Sequence, residues 1–553
     1  MKPLVRLEAT GPLYQRIYRA LRREILAGRL APGARLASTR ALAEELGVSR
    51  NSTLLAYEQL FAEGYIEGKA GSGTHVTAAL PDPALAHAAR SEGSAGPPRS
   101  RAPRLSAFGR RIGVNPPRSA PNSTWLGRTI RYDFRYGIPA VAALPHRVWR
   151  RLTHTRLRAG ALGTSRYTQP EGDGRLRTAL AKYLNRERAI AAQPDQVVIV
   201  NGSQQALDLA ARVLLDVGDR VVVEEPHSRG ACEVFQSAGA RFVSGPVDGD
   251  GLNVTTLPRT ARDARLAYVT PSHQFPTGAV MSVARRLSLL AWASDRDAYI
   301  LEHDIDGEYR YQGRPIEAVQ ALDRTGRVLY VGAFSRVLFP SLRLGYMVLP
   351  ASLVSTFRAA KLLADRHTPT LQQDILADLL ENGDLERLLR RARVRYASRR
   401  AALLAALAKY ASASVEVEGA NAGTHVLVWL RRPDAQGLPK LVERAAQAGI
   451  AVYPATPYYF RPPRRAGLVL AYVGMPEEDI DEGIRRLAAL LPDTRSSGRS
   501  SSVRLAGGRR VPIPNLSTRV RCRLNVRAER FDSLTGLSMV RHLGMVDGAH
   551  HSL

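Results

Sequence analysis

Between residues 131 and 492 one pattern restricts the fold more than any other: short β-rich runs alternate with helix-length stretches. The runs are QVVIVNG (196–202), RVVVEEP (220–226), ARLAYVTP (264–271), AYILEHDID (298–306) and RVLYVGAF (327–334). Strands joined through a helix's length of chain pair in parallel, because the crossover returns the chain to the same end of the sheet. The expectation is a large α/β body, with a mixed, mostly parallel sheet and helices on both faces.

Residues 1–77 follow other rules. Apolar residues recur at helical spacing at Leu13, Ile17, Leu21 and Ile25, until Pro32-Gly33 breaks the pattern. Ser38 is placed to cap a second helix, TRALAEELG, that ends at Gly47. Ser49 is placed to cap a third, RNSTLLAYEQLFAEGY, after a short turn. Two short helices joined so tightly suggest a helix-turn-helix, and YIEGKAGSGTHV reads as a β-wing around a Gly-rich turn. The third helix would present Ser49, Arg50, Asn51 and Ser52 to a DNA groove. Its positive end favours phosphate, and Arg50 suits a bidentate contact with guanine. Tyr57, Leu60 and Phe61 are assigned to the core.

The 553 residues carry a formal net charge of +29, which favours a polyanionic partner. The charge does not by itself locate a DNA face. Residues 77–131 and the last sixty or so contribute about +7 each, and the first 76 only about +4. Residues 78–130 are rich in Pro, Ala, Ser, Gly and Arg and read as a flexible basic tether. Residues 493–553 are Arg- and Ser-rich without amphipathic order, and read as a disordered basic tail or a frame-shifted end. No apolar run reaches 18 residues, so no membrane partner is expected. Two distant cysteines, Cys232 and Cys522, suggest neither a disulfide framework nor a metal site, and the simplest location is cytoplasmic.

The stretch LAPGARLASTRALAEELGVSRNSTLLAYEQLFAEGYIEGKAGSGTHV resembles the winged helix of GntR-type transcription regulators over some forty consecutive residues. The resemblance implies an N-terminal α/β winged helix-turn-helix whose partner is double-stranded DNA. It makes Arg40 a DNA contact and puts Lys69 and Gly71 at the wing tip near the minor groove. Leu54 stands where the best-known members of that family have an arginine, so base preference does not carry over.

The larger part resembles the class I aminotransferase body of MocR-type regulators, a fold-type I pyridoxal-phosphate (PLP) architecture. The resemblance is carried by DFRYGIPAVAALPHRVWRRL, NGSQQALDLAARVLLDVGDRVVVEEP, TPSHQFPTGAVMSVARRLSLLAWA and VGAFSRVLFPSLRLGY. It implies that Gly202, Ser203 and Gln204 present a helix N-terminus to a PLP phosphate, with Arg343 as the phosphate arginine. Other positions depart from the pattern. Arg336 stands where the family has its Schiff-base lysine. Arginine stays protonated and is a poor nucleophile, so covalent PLP is not expected, and at most the cofactor sits loosely through its phosphate. Ala333 replaces a threonine. Ser228 replaces the aromatic that stacks on the pyridine ring, with His227 adjacent. His303 replaces the aspartate that pairs with the ring nitrogen, and Ile305 the tyrosine on the ring hydroxyl. Asp304 remains and is counted among the pocket residues as a replacement partner for the ring nitrogen, although a shift of one position along a strand points its side chain the other way. Two readings of Arg336 stand open: it meets a ligand phosphate or carboxylate, or it forms a buried ion pair with Asp304 or Glu302. Near Val469 the substrate-carboxylate arginine is missing, so an amino-acid effector is not supported.

Three functions follow. One is a sequence-specific transcription regulator with a degenerate aminotransferase-like body that senses an unknown small effector and forms a homodimer, head-to-tail by resemblance. Another is a PLP enzyme, or a regulator that still holds PLP; the enzyme would need a second nucleophile such as Lys361. The third is a DNA-binding structural protein without a ligand.

Overall fold

A computed structural model describes residues 7, 10–78, 104–114, 129–139, 145–158, 167–311, 316–419, 421–432 and 436–491. The chain divides into two compact units, before and after Arg104/Leu105.

In the first unit, α1 (Leu13–Leu26) buries Ile17, Leu21 and Ile25 along one face. α2 (Thr39–Leu46) starts where the Ser38 hydroxyl accepts the Ala41 N–H at 3.1 Å and stops at Gly47, which takes a left-handed φ of 66°. α3 (Arg50–Ala62) follows at once. β1 (Ile66–Lys69) and β2 (Gly73–Val76) pair antiparallel, with Ile66 opposite Val76 and Lys69 opposite Gly73. Leu42, Ala56, Tyr57 and Leu60 close the core between helices and wing. Phe61, assigned to that core from sequence, is instead 58% exposed. It follows Leu60 directly, and a 100° step along the helix carries it off the buried face.

The second unit opens with a helix that sequence reading placed inside a flexible tether. α4 (Ala107–Val114) is capped by Ser106, whose Oγ accepts the Gly109 N–H at 3.0 Å. Arg111 Nε donates to the Ser237 carbonyl at 2.9 Å and holds the helix to the body. Eight residues with one docking bond leave too short an apolar pattern to stand out in a Pro- and Gly-rich stretch. The rest of the expected tether, apart from its two ends, and the expected tail 493–553 lie outside the described residues.

β3 (Tyr132–Asp133) pairs in parallel with a two-residue strand at Ile450–Ala451. The main sheet contains β4 (Val197–Val200), β5 (Arg220–Glu225), β6 (Arg241–Asp248), β7 (Gly251–Leu252), β8 (Ala264–Val269), β9 (Tyr299–His303), β10 (Val328–Ala333) and β11 (Gly345–Val348). Its order is β4-β11-β10-β9-β8-β5-β6-β7. Strands β6, β5, β8, β9 and β10 run parallel, and β11 lies antiparallel to both β10 and β4. All five runs singled out in the sequence are strands of this sheet.

Alternate residues of each strand feed different layers. Val221 and Val223 pack with the helices Ser203–Leu214 and Arg229–Ala238, while Val222 packs with the helix Val283–Asp295. Both faces are therefore covered, as the apolar runs require. A second, antiparallel sheet follows, built from β12 (Val415–Glu418), β13 (His425–Leu430) and two strands at Tyr453–Pro454 and Gly467–Ala471.

The chain leaving β9 carries a buried ion pair that ties the two layers of the main sheet. Arg188, the last residue of the helix Gly174–Arg188, places its Nε 2.9 Å from Asp304 Oδ2. The Tyr330 hydroxyl donates to the same carboxylate oxygen, and Arg188 Nη2 donates to the Ser272 hydroxyl. Breaking such a pair leaves one charge uncompensated in low dielectric. Arg188→Met should therefore cost about 3–5 kcal/mol, read as a lower denaturation midpoint. Adding Asp304→Asn, which keeps an acceptor for Tyr330, should recover most of that loss.

Candidate functional site

The reader comes first in the chain. Ser49 stays extended and its Oγ accepts the Ser52 N–H at 3.2 Å, which fixes the start of α3. The Ser52 hydroxyl lies 2.9 Å from the same Oγ, so both hydroxyls are engaged in the cap. Arg50 and Asn51 are exposed on the first turn, where the N–H groups and the helix dipole favour an anion. Arg40 is exposed on α2, 3.6 Å from Glu44, and Lys69 is exposed on the wing, 3.5 Å from Glu67. Solvated pairs of this kind are weak and leave both cations free to meet phosphate. Gly71 takes a φ of 73° at the wing turn, and Leu54 is exposed on α3.

In the body, the parallel strands end together at one edge of the sheet, the edge at which open α/β sheets bind ligands. After β4 the chain turns at Gly202, with φ 76°, into the helix Ser203–Leu214. A Cβ at Gly202 would lie 2.8 Å from Arg343 Nη2, so the Arg343 guanidinium rests directly on the turn. The same nitrogen donates to the Asn201 carbonyl at 3.3 Å. Gln204 is exposed and Ser203 half-buried beside it. A helix N-terminus with an arginine against it is a phosphate cradle. The turn is braced from behind. Asn201 donates its N–H to Gln205 Oε1 at 2.8 Å, and Gln205 Nε2 donates to Asp365 at 2.8 Å. Lys361 Nζ, fully buried, donates to the other oxygen of Asp365 at 2.6 Å and to Thr368 at 3.2 Å. The one lysine weighed as a second nucleophile is thus committed to holding the turn.

Arg336 follows β10 in the loop that also bears Arg343. Its Nη1 lies 3.4 Å from Asp306 Oδ1, and its guanidinium carbon sits 4.0 Å from the centre of the Tyr136 ring. The Tyr309 hydroxyl donates to its carbonyl at 3.2 Å. A quarter of the side chain remains exposed. The partner is therefore neither Asp304 nor Glu302. Asp304 turns to Arg188, and Glu302 accepts the Val319 and Gln320 N–H groups at 2.9 Å each. Asp306 reaches Arg336 because it takes a left-handed φ of 58°, which no strand alternation anticipates.

Tested against PLP, the residues divide. The Gly202 turn and Arg343 suit its phosphate. The groups a pyridine ring would need are otherwise engaged or absent. His303 Nδ1 lies 2.9 Å from the Tyr268 hydroxyl, and burial pushes its pKa down to about 4, so it is neutral and offers no counter-charge to a protonated ring nitrogen. Ile305 is buried and has no hydroxyl. His227, adjacent to the position of the missing aromatic, stacks on Phe460 with ring centres 4.1 Å apart. Val469 is buried with Phe275, Leu427 and Trp429 and brings no charge for a substrate carboxylate. These residues fit the phosphate end of PLP, and they do not fit its ring or a Schiff base. Asp304, counted from sequence among the pocket residues, does not join the others.

Sequence reading did not single out Tyr136, His273 or His425, which gather around Arg336. They come from DFRYGIP, TPSHQFPTG and the start of β13, segments more than a hundred residues apart. The Tyr136 and Phe275 rings stack 4.4 Å apart, and His425 stands edge-on to Tyr136 at 4.5 Å and to His273 at 4.8 Å. The local signal was slight: a ring-bearing residue beside Gly in RYGIP, and a histidine two positions from a Pro or Gly in PSHQF and GTHVL.

Known proteins divide along the same boundary. Residues 13–76 match the bacterial regulatory proteins of the gntR family, and residues 142–487 match aminotransferase class I and II. Over 493 residues the chain is 37% identical to a probable rhizopine catabolism regulatory protein MocR of Rhizobium meliloti, covering 89% of this chain and 96% of that one. It is 35% identical to the HTH-type transcriptional regulator TauR of Rhodobacter capsulatus, covering 87% and 97%. The crystal structure of LysN, an alpha-aminoadipate aminotransferase of Thermus thermophilus complexed with N-(5'-phosphopyridoxyl)-L-leucine, superposes with a TM-score of 0.62 at 30% identity, over 70% of this chain and 97% of that one. Among the described residues no helix is long and apolar enough to cross a membrane. With a gntR reader ahead of a fold-type I body, and relatives that match it from end to end, this chain belongs to the MocR-type transcription regulators.

Proposed function

We propose that the chain regulates transcription through sequence-specific DNA binding, and that its aminotransferase-like body serves as a sensing and dimerisation module without transaminase chemistry. The observation that carries this is Arg336. By the sequence resemblance it stands at the Schiff-base lysine position; it is held between Asp306 and the face of Tyr136, and carries a charge that does not leave at accessible pH. The effector then binds without a covalent bond, and a pocket with Arg336 and Arg343 favours an anion. Two chains pair head-to-tail, and their readers meet two half-sites whose spacing is set by the dimer. An effector that binds one arrangement of the body better than another shifts the readers with it.

A second reading rests on the intact Gly202 turn with Arg343 against it. On that reading the body still retains PLP, through the phosphate alone. Equilibrium dialysis of PLP against the purified chain separates the two readings: retained PLP that Arg343→Ala releases favours the second, and no retention favours the first. Neither gives an imine absorbance band or an adduct after borohydride, and a trapped adduct would refute both. Arg336→Lys should leave transamination undetectable, because His303 and Ile305 still fail to meet the ring.

The reader makes its own prediction. Arg50→Ala should weaken operator binding by about 1–3 kcal/mol and relax base preference, measured by gel shift on operator and random DNA. Lys69→Ala should weaken both equally and lower the slope of log affinity against log salt by about 1. Equal losses on operator and random DNA from Arg50→Ala would remove its assignment as a base reader.

A further inference from the structure

We infer that His273, Asp306 and His425 form a binding site for a divalent transition-metal ion of the zinc type, beside Arg336. One ligand atom from each residue lies within 4.8 Å of the others, and all three residues are buried. A tetrahedral zinc would draw such atoms to roughly 3.4 Å, a contraction of up to about 1.4 Å from the 4.8 Å found (4.8 − 3.4). Two imidazoles and one carboxylate match the donor preference of zinc and its neighbours and leave coordination positions open.

The state of each donor supports the assignment. His425 Nε2 lies 3.1 Å from the Pro276 carbonyl, which fixes the proton on that nitrogen and leaves Nδ1 with a free lone pair. Nδ1 has no hydrogen-bond partner among the described residues. The His273 ring lies against the Gly419 and Ala422 backbone, and neither of its nitrogens makes a hydrogen bond of good geometry there. Asp306 Oδ2 accepts the Thr424 hydroxyl at 2.6 Å, while Oδ1 has no hydrogen bond. Unmatched polar atoms are rare in a buried site, and here three neighbouring residues carry them. Each ligand thus carries or permits the outer hydrogen bond that metal-bound histidines and carboxylates commonly have.

Arg336 is the opposing term. Its charge, 3.4 Å from Asp306 Oδ1, repels a cation at the same carboxylate. Metal and guanidinium together carry more positive charge than one aspartate balances, so the open positions select a small anion such as carboxylate or phosphate. The metal site does not depend on the chain being a ligand-controlled regulator, since its readout is metal bound per chain.

The test uses the full chain, stripped with chelator, re-loaded with zinc(II) or cobalt(II), and freed of excess ion. About one zinc per chain is expected, with visible cobalt(II) bands of a low-coordinate site. His425→Gln and Asp306→Asn should each weaken binding at least a hundredfold, with circular dichroism showing that the variants remain folded. Thr424→Val, which removes only the outer hydrogen bond, should weaken it about 10- to 100-fold. Arg336→Met should tighten it at least tenfold, an effect that no purely structural role for the three residues produces. The inference is overturned by less than a tenth of an equivalent of zinc, by equal retention in the folded His425→Gln chain, which puts the ion elsewhere, or by weaker binding in Arg336→Met.

Discussion

A guanidinium brought into an α/β core must be met by a carboxylate, and this body meets three at consecutive alternate positions. Glu302, Asp304 and Asp306 follow one another at the end of β9. Arg188 pairs with Asp304, Arg336 faces Asp306, and Arg286 is the leading charge that offsets the burial of Glu302. The arginines come from separate elements, one from a helix C-terminus, one from a helix interior and one from the loop after β10. A single strand exit therefore pins two segments, while the Arg286 guanidinium is held by the Met281, Glu317 and Pro271 carbonyls. Buried pairs of this sort are poor evidence of net stability, because desolvation offsets much of the attraction. They do define which side chain sits where, since any rearrangement leaves a charge unmatched. This is why Arg336 has a defined place beside Asp306 and Tyr136.

The same arithmetic separates the two halves of the pocket. The phosphate cradle depends on backbone N–H groups, a left-handed glycine and an exposed arginine, none of which needs a bound cofactor to be satisfied. A braced network behind it, from Asn201 through Gln205 and Asp365 to Lys361, holds its shape. The ring end is different. With His303 held neutral and Ile305 apolar, that end is self-consistent without a protonated pyridine. The two ends are supported separately, the phosphate end by the protein's own hydrogen bonds.

Most of the architecture was legible because its signals are local. Five apolar runs gave five strands of the main sheet, and Ser38, Gly47 and Ser49 bounded α2 and α3 where caps belong. Arg336 was legible as a departure from a motif. Its partner was not, because the choice among Glu302, Asp304 and Asp306 turns on one left-handed residue after the strand ends, and periodicity stops there. Tyr136, His273 and His425 were hidden for a different reason. Each is an ordinary residue in its own segment, and only tertiary structure makes them neighbours. Phe61 and the helix Ala107–Val114 show the same limit at element edges, where a single turn decides between buried and exposed, or between helix and tether.

For the proposed receptor, this geometry limits what an effector can do. A ligand shifts a two-state body only by the difference of its affinities for the two states, so one that fits both equally changes nothing however tightly it binds. Arg336 is held by a carboxylate, an aromatic face and the Tyr309 hydroxyl on its backbone. An anion that merely approaches adds a contact in every state. An anion that draws the guanidinium away from Asp306 exposes a buried carboxylate and frees the Tyr136 ring, and those two residues lie 170 positions apart in the sequence (306 − 136). Only the second kind of ligand changes which segments are bound to one another. The lever available to this body is thus the exchange of Asp306 for an external anion at one guanidinium, and the energy gained in that exchange bounds how far any effector can bias the readers.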